Sequence, residues 1–163
     1  MITAWRQREK RDGIVLKQIS FAVPPNSTDD LAARLEKAIT PRTRVILFCH
    51  ITNLTGPIFP VKRICATGRA RGIEVTVDGA HAFAHINYSI DDLNCDYYGA
   101  SLHKWLSVPL GAGILYMKKG NASHVWPLLA SGVEDKNDIY WLSQIGTHPV
   151  HTDLSIANAI DYH

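Results

Sequence analysis

The chain has 163 residues, 46% of them hydrophobic and 20% charged, and its 17 Lys and Arg nearly balance 15 Asp and Glu for a net charge of +2. That length and balance fit one globular domain with a real core and exclude a disordered segment, and nothing in the charge pattern marks a nucleic-acid surface. Cys49, Cys65 and Cys95 form no CxxC pair, which argues against a disulfide framework or zinc knuckle; no apolar run is long enough to span a membrane, and the cytoplasm is the expected location.

Taken in chain order, Met1 to Asp12 carries Ile2 and Trp5 on one face and charges elsewhere, with Gly13 as a stop. It reads as the tail of an amphipathic helix, so the chain is expected to begin inside a longer fold. Ile14 to Ile19 is β-prone. Ser27 and Asp30 fit a capping box for a helix whose apolar positions are Leu31, Leu35 and Ile39, ended by Pro41. Val45 to Cys49 is a continuous apolar run, as expected for a strand buried on both faces. A loop from His50 to Phe59 leads to Pro60, which suits the first turn of a helix with Val61, Ile64 and Cys65 as its buried stripe and Gly72 beyond its end. Ile73 to Val77 predicts a strand closed by Asp78 and Gly79, and Ala80 to His85 a short helix. Tyr97 to Ala100 and Gly113 to Met117 predict two further strands. Val125 to Ala130 and Ser155 to Ile160 carry weaker helical signals. Strands alternating with helices from Ile14 to Val77 imply βαβ units, hence an α/β fold with a mainly parallel sheet.

In such a sheet, ligands bind outside the carboxyl ends of the strands. The residues that follow each strand there are chemically rich: His50, Thr52, Asn53 and Thr55 after one, Asp78 and His81 after the next, Ser101, His103 and Lys104 after the third. Asp78 reads either as a turn or helix-cap residue or as a carboxylate that keeps a ring nitrogen protonated. Lys104 lies between Leu102, His103, Trp105 and Leu106, in a stretch with no other charge from Asp96 to Lys118. Apolar surroundings depress a lysine's pKa and make its amine a usable nucleophile. Ser101 and His103 read as a strand-end hydroxyl and a packed imidazole, or as two donors to a phosphate. Gly111-Ala112-Gly113 lacks the strand-before, helix-after context of a dinucleotide fingerprint.

Val77-Asp78-Gly79-Ala80-His81, Ser101-Leu102-His103-Lys104 and Pro109-Leu110-Gly111-Ala112-Gly113-Ile114-Leu115-Tyr116, together with His50-Ile51-Thr52-Asn53-Leu54-Thr55-Gly56, resemble the class V aminotransferase family. The wording is most similar to the branch of isopenicillin N epimerase-like proteins, beside the cysteine desulfurases. The resemblance implies the large domain of a fold-type I, pyridoxal-5′-phosphate (PLP) dependent enzyme: a three-layer αβα sandwich acting on a small amino-acid substrate. It implies Lys104 as the Schiff-base lysine and proton shuttle and Asp78 as the partner of the pyridine nitrogen. His81 and Asn53 would lie near the phenolic oxygen, and Ser101 and His103 at the phosphate. Gly146-Thr147 resembles a segment that reaches the phosphate of a neighbouring subunit, which implies a homodimer. The likeness runs from Met1 to His163 but covers only the middle of the family's length, so residues 1–163 are expected to be a partial large domain. On this likeness, the family's upstream phosphate turn, its ring-stacking residue and its C-terminal small domain are expected to be absent from residues 1–163.

Two other readings stay open. Asp78, His81 and His85 are spaced by three and four, which on a helix would place them on one face as ligands of a hydrolytic metal; Ala82 stands where a metalloprotease helix has its glutamate. The chain is otherwise a non-catalytic remnant that keeps part of the fold without a working site.

Overall fold

A computed structural model describes residues 2–163. Its elements are α1 (Ile2–Asp12), α2 (Thr28–Ala38), β1 (Val45–Cys49), α3 (Val61–Arg69), β2 (Glu74–Asp78), α4 (Ile90–Leu93), β3 (Tyr97–Ser101), β4 (Gly113–Met117), a 3-10 turn (Ala122–His124), α5 (Tyr140–Ser143), α6 (His151–Leu154) and α7 (Ile156–Tyr162). The strands form one sheet in the order β1-β2-β3-β4. The first three are parallel, with Cys49 beside Asp78 and Asp78 beside Gly99, and β4 runs antiparallel to β3. The three parallel strands therefore end together at one edge.

Alternation places Ile46 and Phe48 of β1, Val75 and Val77 of β2, and Tyr98 and Ala100 of β3 in the main core. Leu31, Ala32 and Leu35 of α2 and Val61, Ile64 and Cys65 of α3 pack there too. Each such aliphatic side chain contributes about 1.5–3 kcal/mol on burial. Ser27 caps α2 by accepting from the Asp30 amide at 3.0 Å. A second cluster of Leu102, Leu106, Val108 and Ala112 packs against Phe83 and Ile114 and against Ile156 and Ala159 of α7.

Four expectations are corrected. Ile14 to Ile19 has no regular secondary structure and joins no sheet: β1 is an edge strand, and the segment's Leu16 amide is taken by the Glu9 carboxylate instead. Residues 80 to 85 form successive turns rather than a helix, because Ala84 adopts a left-handed φ of 57° that breaks the hydrogen-bond ladder. Val125 to Ala130 is irregular: the short 3-10 turn ends just before it, and Pro127 interrupts any regular helix. In this chain β1 is buried on one face only, with Val45 39% exposed and Leu47 and Cys49 half-buried.

Arg63 of α3 grips α2. Its Nε and Nη2 donate to the two Glu36 carboxylate oxygens at 3.0 Å each, and its Nη1 to Asp29 Oδ1 at 2.8 Å. These bonds hold the Glu36 carboxyl below the usual carboxylate range. A lowered folded pKa contributes stability above the unfolded value of about 4.3, and that stability is lost as the pH falls through the folded value. Because the pair is exposed, the effect is modest. Glu36→Gln is expected to lower the urea midpoint at pH 7, and the midpoints of variant and parent to converge as the medium is acidified below the unfolded value. A constant offset at every pH would refute the ionic account.

Candidate functional site

The carboxyl ends of β1, β2 and β3 deliver His50, Asp78 and Ser101 to one edge of the sheet. Asp78 closes β2. Its Oδ1 accepts from the Ala80 amide at 2.9 Å, and its Oδ2 lies 3.9 Å from the Cys49 thiol on the neighbouring strand. Burial, followed by the Asp78 carboxylate, pushes the Cys49 thiol up, and Lys104 acts the other way. Cys49 therefore stands in the field of both charges, a neighbour that the one-dimensional reading did not single out.

The turn after β2 carries His81. The loop after β3 carries Lys104, whose Nζ lies 3.1 Å from His81 Nε2. Desolvation and then the Lys104 ammonium hold His81 below its ordinary value, with Asp78 opposing. At neutral pH the imidazole is uncharged, so Nε2 accepts from the ammonium and Nδ1 carries the ring proton. The predicted trio of Asp78, His81 and Lys104 is thus brought into one electrostatic neighbourhood. The apolar enclosure expected for Lys104 is absent: Leu102 and Leu106 turn into the second core cluster, and the lysine remains exposed.

His103 is half-buried, and its Nδ1 is the one side-chain nitrogen or oxygen among the described residues that is both buried and without a partner. Such an atom costs about 1–3 kcal/mol until something bonds to it. Ser101, at the end of β3, is half-buried. Asn53 is exposed in the loop after β1, where Thr52 and Thr55 hydroxyls meet at 2.9 Å. Thr147 is exposed in the segment between α5 and α6, and no hydrogen bond among the described residues joins it to the other site residues.

The metal-ligand alternative fails on geometry. The broken turn at Ala84 removes the shared helical face. His85 Nδ1 points to the His81 carbonyl at 2.9 Å, and its ring stacks on Trp105 with centroids 3.7 Å apart. Among the described residues, no three His, Cys, Asp or Glu side chains converge on a point where an ion could sit.

The residues that support the site from below were not legible in the sequence. Tyr98 is fully buried, and a Cβ on Gly79 would lie 1.9 Å from its Cζ. Gly79 is therefore a glycine because a tyrosine ring passes directly beneath the turn. The dipeptide Asp78-Gly79 signals a turn, but nothing in it announces that ring.

Comparison with known proteins finds clear relatives. Isopenicillin N epimerase from Streptomyces clavuligerus is 35% identical over 127 residues, which is 78% of this chain and 32% of that protein. A probable cysteine desulfurase from Xylella fastidiosa (strain Temecula1 / ATCC 700964) is 30% identical over 150 residues, 92% of this chain and 35% of the relative. The chain thus spans about a third of the length of these relatives. Among solved structures, C-DES with glycine covalently linked to its PLP cofactor superposes with a TM-score of 0.87 at 21% identity, covering 99% of this chain and 46% of that one. This likeness shows the fold, that of the fold-type I enzymes, an α/β sandwich around a mixed sheet. The family model for aminotransferase class-V matches residues 1–163, and the chain belongs to that family.

Proposed function

We propose that this chain is the cofactor-holding part of a PLP enzyme acting on a small amino-acid substrate, with Lys104 as the amine that carries the cofactor. The observation that carries the reading is the Lys104 Nζ beside His81 Nε2 at 3.1 Å, on the same strand-end edge as Asp78. The donor set fits the group. The partnerless, buried Nδ1 of His103 and the nearby Ser101 hydroxyl suit an anionic phosphate, and the Asp78 carboxylate suits a basic ring nitrogen. Membership of the family and the names of its relatives, an epimerase of isopenicillin N and cysteine desulfurases, support the same choice.

When bound, PLP supplies an aldehyde that condenses with amines and a ring that withdraws electrons from the α-carbon of an attached amino acid. The protein's own groups do the rest. Lys104 would carry the cofactor through its amine, and that amine would take and return a proton at the substrate α-carbon. Asp78 holds the proton on the ring nitrogen, because a nearby carboxylate favours the charged form. His81 would orient Lys104 through its Nε2, 3.1 Å from the amine, and His81 and Asn53 would be the groups offered to the cofactor's phenolic oxygen. His103 and Ser101 would donate to the phosphate, and Thr147 would serve the phosphate of a second subunit if the chain forms a homodimer. Transamination, epimerisation and β-elimination all share the proton transfer assigned to Lys104.

The test is chemical labelling. PLP is added to the purified chain, the product is reduced with borohydride, and the pyridoxyl adduct is located by peptide mass spectrometry. A single adduct at Lys104, lost in Lys104→Ala, is the expected result. Label scattered over surface lysines such as Lys10, Lys37 and Lys62, or no label, would instead mark the chain as a remnant that keeps the family's sequence without its site.

A further inference from the structure

Beneath the Asp78-Gly79 turn lies a buried polar group that the site chemistry does not use. Tyr98, in the middle of β3, pairs in register with Val77 and has 0% exposure. The hydroxyl end of its ring fills the space under Gly79, where a Cβ would come within 2.0 Å of the phenolic oxygen. That hydroxyl meets the Tyr88 hydroxyl and lies 3.4 Å from Nδ1 of His50, itself only 4% exposed. The His50 ring packs edge-on against both tyrosines, at centroid distances of 4.9 and 6.2 Å. Burial pushes the Tyr98 hydroxyl up and His50 down, so both are neutral at pH 7 and bond as neutral partners away from water.

His50 and the residue after Tyr98 also bond to the backbone of the turn. The His50 amide donates to the Asp78 carbonyl at 2.8 Å, the Gly79 amide donates to the Gly99 carbonyl next to Tyr98 at 2.7 Å, and the Ala80 amide donates to Asp78 Oδ1 at 2.9 Å. The end of the Tyr98 ring therefore packs directly against Gly79, while the Gly79 amide is tied to β3 at Gly99. The ring's position is in turn set by what holds its hydroxyl. A phenol that lost both partners there would tilt toward a new one and carry Gly79 with it.

We propose that Tyr98 is the positioning residue of Asp78: its buried hydroxyl, held between Tyr88 and His50, fixes the turn under Gly79 and so aims the Asp78 carboxylate. This rests on the role given to Asp78 above. Tyr98→Phe keeps the ring and removes only the hydroxyl bonds, and Tyr88→Phe removes one of the two partners. Hydrogen exchange on the chain without PLP is the first arm. In Tyr98→Phe the amides of Gly79 and Ala80 are expected to exchange about tenfold faster, with Ile64 and Cys65 in α3 unchanged and Tyr88→Phe intermediate. Unchanged turn amides, or a uniform acceleration across the chain in both variants, would overturn the positioning role. The second arm is the PLP dissociation constant of the parent, Tyr98→Phe, Asp78→Asn and the double variant. The hydroxyl is expected to matter several-fold when Asp78 is present and not at all when Asn replaces it, as required of a residue acting through another. Equal weakening in both backgrounds would overturn the link to Asp78. Failure of the parent chain to bind PLP would count against the cofactor reading alone, and the exchange arm would still decide whether Tyr98 fixes the turn.

Discussion

Gly79→Ala is expected to destabilise the chain by about 3 kcal/mol, near the top of the range for overpacked sites. The added methyl would lie 1.9 Å from Tyr98 Cζ and 2.0 Å from its Cε1 and hydroxyl oxygen, far inside contact distance. The ring has nowhere to go, since Tyr98 is fully buried and its hydroxyl is engaged by Tyr88 and His50. Either the turn lifts and loses the Gly79 amide bond to Gly99, or the ring tilts and strands a buried hydroxyl, at about 1–3 kcal/mol for each group left unpaired. At a slope of about 2 kcal/mol/M the urea midpoint falls by roughly 1.5 M. Tyr98→Leu in the same chain removes the clashing atoms, so the double variant should be more stable than the sum of the single effects. A midpoint for Gly79→Ala close to that of the parent would mean that the turn accommodates a side chain and that Tyr98 does not set its height.

The second large effect falls on ligand affinity. Asp78→Asn preserves the shape of the turn, because the amide oxygen can still accept from the Ala80 amide that Oδ1 accepts from at 2.9 Å. What it removes is the charge offered to the ring nitrogen. A hydrogen bond to a charged group contributes about 1.5–3 kcal/mol, so PLP is expected to bind about 10- to 100-fold more weakly. Absorbance titration measures this directly, and borohydride labelling of Lys104 at limiting PLP should fall in proportion. The urea midpoint should stay near the parent's. Equal PLP affinity in the two proteins would reduce Asp78 to a turn residue that satisfies the Ala80 amide and nothing more.

Cys49 illustrates how a neighbour of the site escapes a one-dimensional reading. It ends an apolar run, yet parallel pairing sets it beside Asp78, 29 residues away in sequence, with its sulfur 3.9 Å from the carboxylate. Lys104 illustrates the opposite error. Its apolar neighbours suggested a desolvated amine, but loop geometry sends Leu102 and Leu106 inward and leaves the lysine exposed. Sequence neighbours share a chain, and whether they share an environment depends on which way each side chain leaves the backbone.

From the sequence alone came the strands Val45–Cys49, Glu74–Asp78, Tyr97–Ser101 and Gly113–Met117 to within a residue or so, the capped helix after Ser27, and the candidate residues Asp78, His81, Ser101, His103 and Lys104 at the strand ends. These are legible because periodic burial, capping and turn chemistry are local, and because a parallel sheet sends the ends of its strands to one edge whatever their separation in sequence. Only the tertiary structure decided that residues 14 to 19 stay unpaired, that Ala84 breaks the turn between His81 and His85, that His103 Nδ1 is left without a partner, and that Tyr98 stands under Gly79. Each depends on which partner strand, ring or donor arrives from elsewhere in the chain. A residue's own neighbours carry no record of that arrival, because long-range packing and hydrogen bonding outweigh the small local preferences of a short segment.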